Sequence, residues 1–597
     1  MSRVRHSNRR SRALLTAALV ALPPVVPSAV GADAAAPIAR KKPTVRELHG
    51  EKFIDDYFWL REKGTPEVTA HLEAENAHAE WVMSPHKDLQ DTLYKEMLGR
   101  IKETDLSVPV RDGAYFYYTR TEQGQQYQIH CRRKGSLDAP EEVYLDVNAL
   151  ARGEAFMAIG TTSVSDDGNL LAYTTDTTGF RDYKLYVRDL RTGELLEQPA
   201  ERVTSVDWAA DNKTLFYTTT DAAKRPYRLY RHAIGADGGG TLLYEEKDER
   251  FSVGVGRSRS KAFLFLEIGS LTTSEVHYLA AGQPAGTWHI VAPRKDNHEY
   301  DVDHRGDQFF VRTNQGGRNF ALAVAPVSDP SPALWKTIVP HRSDVMLQSA
   351  LVFEGQTVLF ERANGLPRFR VATAGAEATE AWTALPFSEP AYTVSPASNP
   401  EFKTQTFRYA YQSFTTPQSV FDYDFASGRS TLLKETEVLG GYDRTKYTIE
   451  RVMATAPDGT KVPVSLVYLK TLVKNGSSPI YLTAYGSYGI SSNVTFSSNR
   501  FSLIDRGVIY AVAHIRGGGD LGKPWHDQGR MLQKKNTFTD FIAAAEYLIA
   551  QKYGAAHSLA IEGGSAGGLL MGAVANMRRI CSAPSSRKYR SSTSSTR

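Results

Sequence analysis

Short runs of aromatic and aliphatic residues recur along the middle of the chain, each followed by a polar turn and a second apolar run. Two of these units, which begin at Leu171 and Leu215, match closely at an offset of 44 residues, and later offsets are 46 to 49. Paired apolar runs separated by turns are typical of β-hairpins. Seven units predict a seven-bladed β-propeller over residues 111–440, with a long β-sandwich as the alternative. The seven runs begin at Tyr115, Leu171, Leu215, Phe263, Phe309, Val358 and Phe407.

The pattern differs on both sides of this region. Residues 35–110 contain helical stretches at Val68–Ala77 and Leu93–Ile101, and from Tyr447 onward short apolar strands alternate with a helix. This alternation predicts a doubly wound α/β domain over 441–577, with 35–110 as its N-terminal part and the propeller inserted between them. The strand candidates are Tyr447–Ala456, Val462–Leu469, Pro479–Tyr485, Val508–Ile515 and Ser558–Ile561.

The helix of this domain has apparent signals at both ends. Thr537 and Asp540 have the spacing of a capping box, in which two side chains satisfy the first free amides of a helix. They predict an Ala-rich helix over Phe538–Tyr553, with Gly554 as its stop.

Composition limits the class of protein. The chain has 597 residues, 41% of them hydrophobic and 23% charged, which is typical of globular domains and excludes fibrous or wholly disordered proteins. The net charge of +5 comes from the ends, because residues 1–34 carry +4 and residues 578–597 carry +6, which leaves −5 for the rest. A nucleic-acid-binding function is therefore not expected.

The first 34 residues have the layout of a secretory signal. Several arginines precede an apolar run over Ala13–Val26, and small residues follow up to Ala34. We expect cleavage after Ala32 or Ala34 and export to the periplasm or the medium, without a lasting membrane anchor. The pair Arg9-Arg10 leaves open which export route is used. With only Cys131 and Cys581, no disulfide framework is expected.

Gly563-Gly-Ser565-Ala-Gly567 follows the last strand candidate and precedes a small, apolar stretch. This is the pattern of a nucleophile elbow, a turn so tight that its flanking positions require glycine. Such a turn places a serine hydroxyl at the carboxyl edge of a sheet and at the start of a helix, where negative charge is favoured. Ser565 is therefore the candidate nucleophile, with an ordinary glycine-rich turn as the alternative.

Several contiguous segments in the same order resemble the prolyl oligopeptidase family, and within it the oligopeptidase B branch. The resemblance covers residues 37–577. It is carried by Asp56-Tyr-Phe-Trp-Leu60, Arg100-Ile-Lys-Glu-Thr-Asp105, Tyr117-Tyr-Thr-Arg-Thr-Glu-Gln-Gly-Gln-Gln-Tyr127, Cys131-Arg-Arg-Lys-Gly135, Tyr485-Gly-Ser-Tyr-Gly489, His514-Ile-Arg-Gly-Gly-Gly519, Lys534-Lys-Asn-Thr-Phe-Thr-Asp540 and Glu562-Gly-Gly-Ser-Ala-Gly-Gly568.

The resemblance implies a propeller joined to an α/β-hydrolase that cleaves short peptides after Arg or Lys, without a metal or organic cofactor. It implies Ser565 as the nucleophile, and the backbone N–H of Ala566 and the hydroxyl of Tyr485 as the two oxyanion donors. Three histidines are interpreted as structural: His514, His526 and His557. The Arg516-Gly-Gly-Gly519 segment is interpreted as a close-packed loop, because it lacks the ending of a phosphate-binding loop.

The triad of an α/β-hydrolase needs Asp and His after the serine, but no Asp, Glu or His follows Ser565. We therefore expect the chain as written to be inactive. Residues 578–597 turn rich in Ser, Thr and Arg, and the neighbouring reading frame can encode a sequence like that of the family, which suggests a frameshift. Two alternatives stay open: a non-catalytic propeller that binds peptides or a partner protein, and an exopeptidase or esterase of the same fold.

Overall fold

The chain divides into two compact units, of which the first ends at Lys95 and contains a hairpin followed by helices. The computed structural model describes residues 36–378 and 381–578, so the predicted signal segment and nearly all of the predicted tail lie outside the described residues. Pro66 begins the first helix at a position where its missing N–H is harmless. The elements are β1 (Thr44–Leu48), β2 (Glu51–Asp55), α1 (Pro66–Met83) and α2 (Lys87–Leu98), whose last turn extends past Lys95.

Seven antiparallel sheets follow, and they confirm the predicted seven-bladed propeller. Each aromatic run of the sequence lies in the second long strand of its blade. Alternating residues of such a strand can pack on the two neighbouring blades, as in blade 3, where Leu215 and Tyr217 pack with blade 2 and Phe216 packs with blade 4. The first blade begins at Asp105, before the predicted start at residue 111, and its inner strand is split in two. Blade 1 contains β3 (Asp105–Leu106), β4 (Val110–Asp112), β5 (Tyr115–Thr121), β6 (Ile129–Lys134) and β7 (Glu142–Asp146), and α3 (Val147–Leu150) follows it.

Blades 2 to 7 have four strands each, joined in chain order. Blades 2 and 3 contain β8 (Ala158–Val164), β9 (Leu170–Asp176), β10 (Lys184–Asp189) and β11 (Leu195–Glu201), then β12 (Val203–Trp208), β13 (Thr214–Thr220), β14 (Pro226–Ala233) and β15 (Thr241–Glu245). Blades 4 and 5 contain β16 (Ser252–Arg257), β17 (Phe263–Gly269), β18 (Ser274–Ala280) and β19 (His289–Ala292), then β20 (Tyr300–Arg305), β21 (Gln308–Thr313), β22 (Ala321–Pro326) and β23 (Lys336–Val339). Blades 6 and 7 contain β24 (Val345–Val352), β25 (Gln356–Ala363), β26 (Leu366–Thr373) and β27 (Thr383–Ala384), then β28 (Tyr392–Pro396), β29 (Thr406–Ser413), β30 (Ser419–Asp424) and β31 (Ser430–Glu435).

First strands of neighbouring blades contact one another, as β12 does with β8 and β16 and as β20 does with β24, and in a propeller such strands surround the axis. Large aromatic side chains fill the space between blades. Phe369 of blade 6, for example, packs edge-on against Phe407 of blade 7, and neither ring is exposed. Such close-packed apolar contacts stabilise the ring of blades.

A mixed five-stranded sheet follows the propeller and confirms the predicted α/β-hydrolase fold. Its order is β32-β33-β35-β34-β36, in which β34 runs parallel to β35 and β36, while β33 runs antiparallel to β32 and β35. Near-continuous apolar strands such as β33 are buried on both faces. The elements are β32 (Tyr447–Thr455), β33 (Lys461–Leu469), β34 (Ser478–Thr483), α4 (Phe501–Ile504), β35 (Ile509–Ala513), α5 (Lys523–Asp527), α6 (Lys535–Ala550), β36 (Gly554–Glu562) and α7 (Ala566–Met577).

The predicted capping box at Thr537 is wrong. Helix α6 begins at Lys535, so Thr537 lies in its first turn, and the residue that precedes the helix, Lys534, makes no side-chain cap. The Thr537 hydroxyl instead donates to the carbonyl of Arg516 at 2.8 Å, and the Asp540 carboxylate binds the Arg516 guanidinium. Both polar side chains therefore bind Arg516, in a loop distant in sequence, rather than the amides of the helix. The local spacing of Thr537 and Asp540 could not reveal this partner.

Propeller and hydrolase sheet both belong to the second compact unit, which begins at Glu96, and they share polar contacts. Arg318 of blade 5 binds Asp527 at the end of α5 through two hydrogen bonds of 2.9 and 3.0 Å. Lys523 at the start of the same helix binds Glu299 at 2.8 Å. Helix α5 therefore fixes the hydrolase sheet to the rim of blade 5.

Candidate active site

The turn between β36 and α7 has the geometry of a nucleophile elbow. Ser565 lies between the two elements with φ +52° and ψ −117°, a conformation that residues other than glycine rarely adopt. Its side chain is exposed at the carboxyl edge of the sheet. Backbone strain of this kind is concentrated at functional sites, where it presents a reactive group.

Close packing explains the glycines beside this serine. A Cβ atom on Gly563 would lie 2.4 Å from the carbonyl oxygen of Gly567, which is closer than atoms can approach. The amide of Gly567 donates to the carbonyl of Gly564 at 2.7 Å, and that of Gly568 donates to Ser565 at 2.8 Å. The turn thus folds back on itself and requires glycine at its crossing point.

The structure brings Tyr485 to this elbow. Strands β34 and β36 are parallel neighbours, with Thr483 paired to Glu562, so the loops after them leave from the same edge of the sheet. The ring of half-buried Tyr485 lies beside Gly567, where a Cβ atom would be 3.7 Å from its Cδ2. Ser565 and Tyr485 therefore share one site, as the sequence predicts. Their catalytic roles stay predictions.

The backbone N–H of Ala566 opens helix α7, and the amides after it are already bonded within the turn. Within residues 36–378 and 381–578, the hydrogen bonds include none from the Ala566 amide to a protein acceptor. A free amide at a helix N-terminus, beside a serine hydroxyl, is suited to hold a negatively charged oxygen.

His514 belongs to a separate buried network. Its Nε2 lies 2.8 Å from the Ser465 hydroxyl, and its Nδ1 lies 2.9 Å from Oδ1 of Asp520. Because Nδ1 faces a carboxylate, it carries the proton, and the Ser465 hydroxyl donates to Nε2. The arrangement has the order of a Ser-His-Asp triad, but Ser465 is only 1% exposed and no substrate could reach it.

The other two histidines, His526 and His557, lie outside this network. The ring of His526 packs against Gly489, and burial lowers its pKa. His557 is exposed on β36. In the part of the chain that the structure describes, the hydrogen bonds include none between Ser565 and a histidine or carboxylate. The site therefore holds a candidate nucleophile and candidate oxyanion donors, and none of the described histidines or carboxylates accepts a hydrogen bond from the serine hydroxyl.

The glycines after Arg516 form the close-packed loop that the sequence predicts. A Cβ atom on Gly517 would lie 2.2 Å from the carbonyl oxygen of Gly486, and one on Gly519 would lie 2.2 Å from that of Gly489. This loop thus supports the segment that carries Tyr485, with no room for a phosphate between them.

Two supports of the site, Asp520 and Lys534, are not predicted by the sequence. Asp520, besides binding His514, accepts a hydrogen bond from the amide of Ser492 at 3.0 Å. Lys534 binds the segment just after Tyr485. The only signal was that Lys534 begins one of the family-like segments, which says nothing of its contacts.

Among the described residues, no group of three or more His, Cys, Asp or Glu side chains could hold a metal ion. No helix of that part of the chain is long and apolar enough to cross a membrane.

Family models match most of the chain. One described as "Prolyl oligopeptidase, N-terminal beta-propeller domain" matches residues 37–436, and one described as "Prolyl oligopeptidase family" matches residues 494–580. Fold and elbow together define a propeller-bearing serine hydrolase. The chain belongs to the prolyl oligopeptidase family, and its lineage is that of serine peptidases.

Individual relatives support this family assignment. Dipeptidyl aminopeptidase BI of Pseudoxanthomonas mexicana is 41% identical over 94% of this chain and 80% of its own length. Protease 2 of Moraxella lacunata is 36% identical over 91% of this chain and 79% of its own. The structure of oligopeptidase B from Leishmania major superposes with a TM-score of 0.85 at 35% identity, over 92% of this chain and 81% of that one. The chain thus spans about four fifths of these relatives.

Proposed function

We propose that Ser565 is the nucleophile of a peptidase that cleaves short peptides after Arg or Lys. The observation that carries the proposal is the strained Ser565 on an elbow beside Tyr485. In the proposed reaction the hydroxyl attacks the peptide carbonyl, the amine leaves, and water releases the acyl group. The N–H of Ala566 and the hydroxyl of Tyr485 stabilise the negative oxygen of the intermediate.

The preference for Arg or Lys rests on the resemblance to oligopeptidase B. It is measured with fluorogenic peptides that are identical except for Arg, Lys, Ala or Pro before the cleaved bond. Faster acylation with Arg and Lys supports the preference. Equal rates for all four, or a preference for Pro, would overturn it while leaving the peptidase proposal intact.

A polypeptide of these 597 residues is proposed to acylate slowly and not to turn over. Serine has a very high pKa and needs a base, whereas none of the described histidines or carboxylates is hydrogen-bonded to Ser565, and His514 is bound to Ser465. The test is reaction of the purified chain with a peptide phosphonate ending in Arg, read by mass spectrometry, next to hydrolysis of the matching peptide. Labelling that is lost in Ser565→Ala, without turnover, is the expected result. Absence of labelling would reject Ser565 as the nucleophile.

The lack of a described base near Ser565 also favours a second candidate, peptide binding without turnover. Here Ser565→Ala should bind an Arg-containing peptide as tightly as the parent chain in calorimetry. Loss of binding in that variant would exclude this candidate.

Export is a further part of the proposal, supported by the Arg-rich and apolar residues 1–34. Fractionation of bacterial cells that express the chain should recover it outside the cytoplasm, with Ala32 or Ala34 as the last residue removed. Recovery only in the cytoplasm with residues 1–34 attached would reject it.

A further inference from the structure

The segment that follows Tyr485 is conformationally strained. Gly486, Tyr488 and Gly489 all have positive φ values, of 66°, 58° and 68°. Glycine adopts positive φ values without penalty, but Tyr488 does so at a cost in free energy. A segment in which three of four residues have positive φ has little intrinsic preference for this backbone conformation. Contacts from elsewhere in the chain must therefore hold it.

Lys534 makes such a contact. Its Nζ donates to the carbonyl oxygen of Gly486 and to the hydroxyl of Ser487, each at 2.6 Å. Among the described residues, no carboxylate forms an ion pair with Lys534. The ammonium group is thus half-buried with only neutral partners, and this burial lowers its pKa. A desolvated charge of this kind costs free energy, which its two short hydrogen bonds offset.

The backbone of Lys534 is itself fixed. It directly precedes α6, and in the first turn of that helix Thr537 is fully buried. A Cβ atom on Gly486 would lie only 2.5 Å from the methyl group of Thr537, so the two residues are in close contact. The start of α6 therefore packs directly on the peptide group that Lys534 binds, so the lysine holds it from a rigid base.

We propose that Lys534 is a positioning residue for the oxyanion site. By binding the carbonyl of Gly486 it sets the orientation of the peptide group next to Tyr485, and thereby keeps the Tyr485 hydroxyl directed at Ser565. The proposal rests on the function proposed for these two residues, and it assigns Lys534 no contact with the substrate.

The test is the rate at which a peptide phosphonate labels Ser565 in four variants. Lys534→Met should slow labelling by about 10- to 100-fold, approaching the loss typical of a missing oxyanion donor. The neighbouring Lys535→Met is the matched control, because Lys535 is exposed, and it should leave the rate unchanged. Tyr485→Phe should slow labelling, and adding Lys534→Met to it should have no further effect, since the lysine acts through the tyrosine.

A lysine that merely stabilises the fold would slow the double variant further, by the same factor as the single variant, and that result would overturn the proposal. Equal rates for Lys534→Met and Lys535→Met would also overturn it. If Ser565 is not labelled even in the parent chain, the proposal that it is the nucleophile is rejected. The role of Lys534 is then tested by amide hydrogen exchange. Faster exchange of residues 486–489 in Lys534→Met alone supports its positioning role, whereas exchange equal to that of Lys535→Met overturns it.

Discussion

Lys261 of blade 4 binds Asp112 of blade 1, with 2.9 Å between the ammonium nitrogen and the carboxylate oxygen. Blades 2 and 3 separate these two blades in the ring, so this ion pair crosses the mouth of the propeller. The same lysine lies 3.1 Å from Asp166 of blade 2, which also accepts a hydrogen bond from Arg257 at 2.7 Å. Blade 4 is thereby tied to two blades that are not its neighbours.

Removal of these charges should loosen the ring to different degrees. The Lys261 side chain is 39% exposed, so Lys261→Met should lower the free energy of unfolding by less than about 1 kcal/mol. The Arg257 side chain is only 8% exposed, and Arg257→Gln should cost about 1–3 kcal/mol. Urea unfolding at low and high salt measures both, and salt should weaken mainly the Lys261 contribution. A larger loss in Lys261→Met than in Arg257→Gln would contradict this ranking.

Arg516 binds one buried and one exposed carboxylate, which gives a matched pair of variants. Its Nε lies 2.8 Å from the fully buried Asp540, and its Nη1 lies 2.6 Å from Asp458, whose side chain is 47% exposed. Asp540→Asn leaves a buried guanidinium without its buried anion and should destabilise the hydrolase sheet by about 3–5 kcal/mol. Asp458→Asn should cost less than about 1 kcal/mol. Similar losses in chemical unfolding of the two variants would refute the argument.

The blades and the elbow could be predicted because their signals are local. An aromatic run in every blade marks its second long strand, and Gly563 is required by the turn that contains it, because a Cβ atom there would meet the carbonyl of Gly567. Four of the five hydrolase strands were placed within about two residues of their observed ends. The fifth, β36, begins at Gly554, which the sequence predicts only as a helix stop.

The supports of the site could not be predicted because they join distant segments. Asp540 looked like part of a helix cap, yet its partner is Arg516, 24 residues earlier. His514, just after β35, bonds to Ser465 on β33, 49 residues away. The spacing of these residues along the chain does not show which polar residues of the two segments will pair.

Stability should depend on pH through Glu275 of blade 4. A hydrogen bond with His277 at 2.9 Å, together with the amide and guanidinium of Arg294, lowers the pKa of this nearly buried carboxyl to about 2. A lowered pKa means that the folded state favours the charged form, so the stabilisation is present above the unfolded pKa of about 4.5 and is lost as the pH falls toward 2.

Glu275→Gln should therefore destabilise the chain by about 2–3 kcal/mol at pH 7, and the difference from the parent chain should shrink steadily below about pH 4.5. Urea unfolding at pH 7, 5, 4 and 3 measures it. The exposed Glu249 is the control, and Glu249→Gln should show no such trend. A difference for Glu275→Gln that stays constant down to pH 3 would show that its charge is not what matters.

Two adjacent glycines test whether the elbow depends on close packing rather than on flexibility. A Cβ atom on Gly563 would meet the Gly567 carbonyl oxygen at 2.4 Å, whereas one on Gly564 would have no atom within 4 Å, and neither residue has a positive φ. Gly563→Ala should thus displace the start of α7, cost about 2 kcal/mol in unfolding and greatly slow the labelling of Ser565 by a phosphonate. Gly564→Ala should leave both nearly unchanged. If flexibility were what the turn requires, the two variants would lose stability and reactivity alike, because each removes one glycine from the same turn.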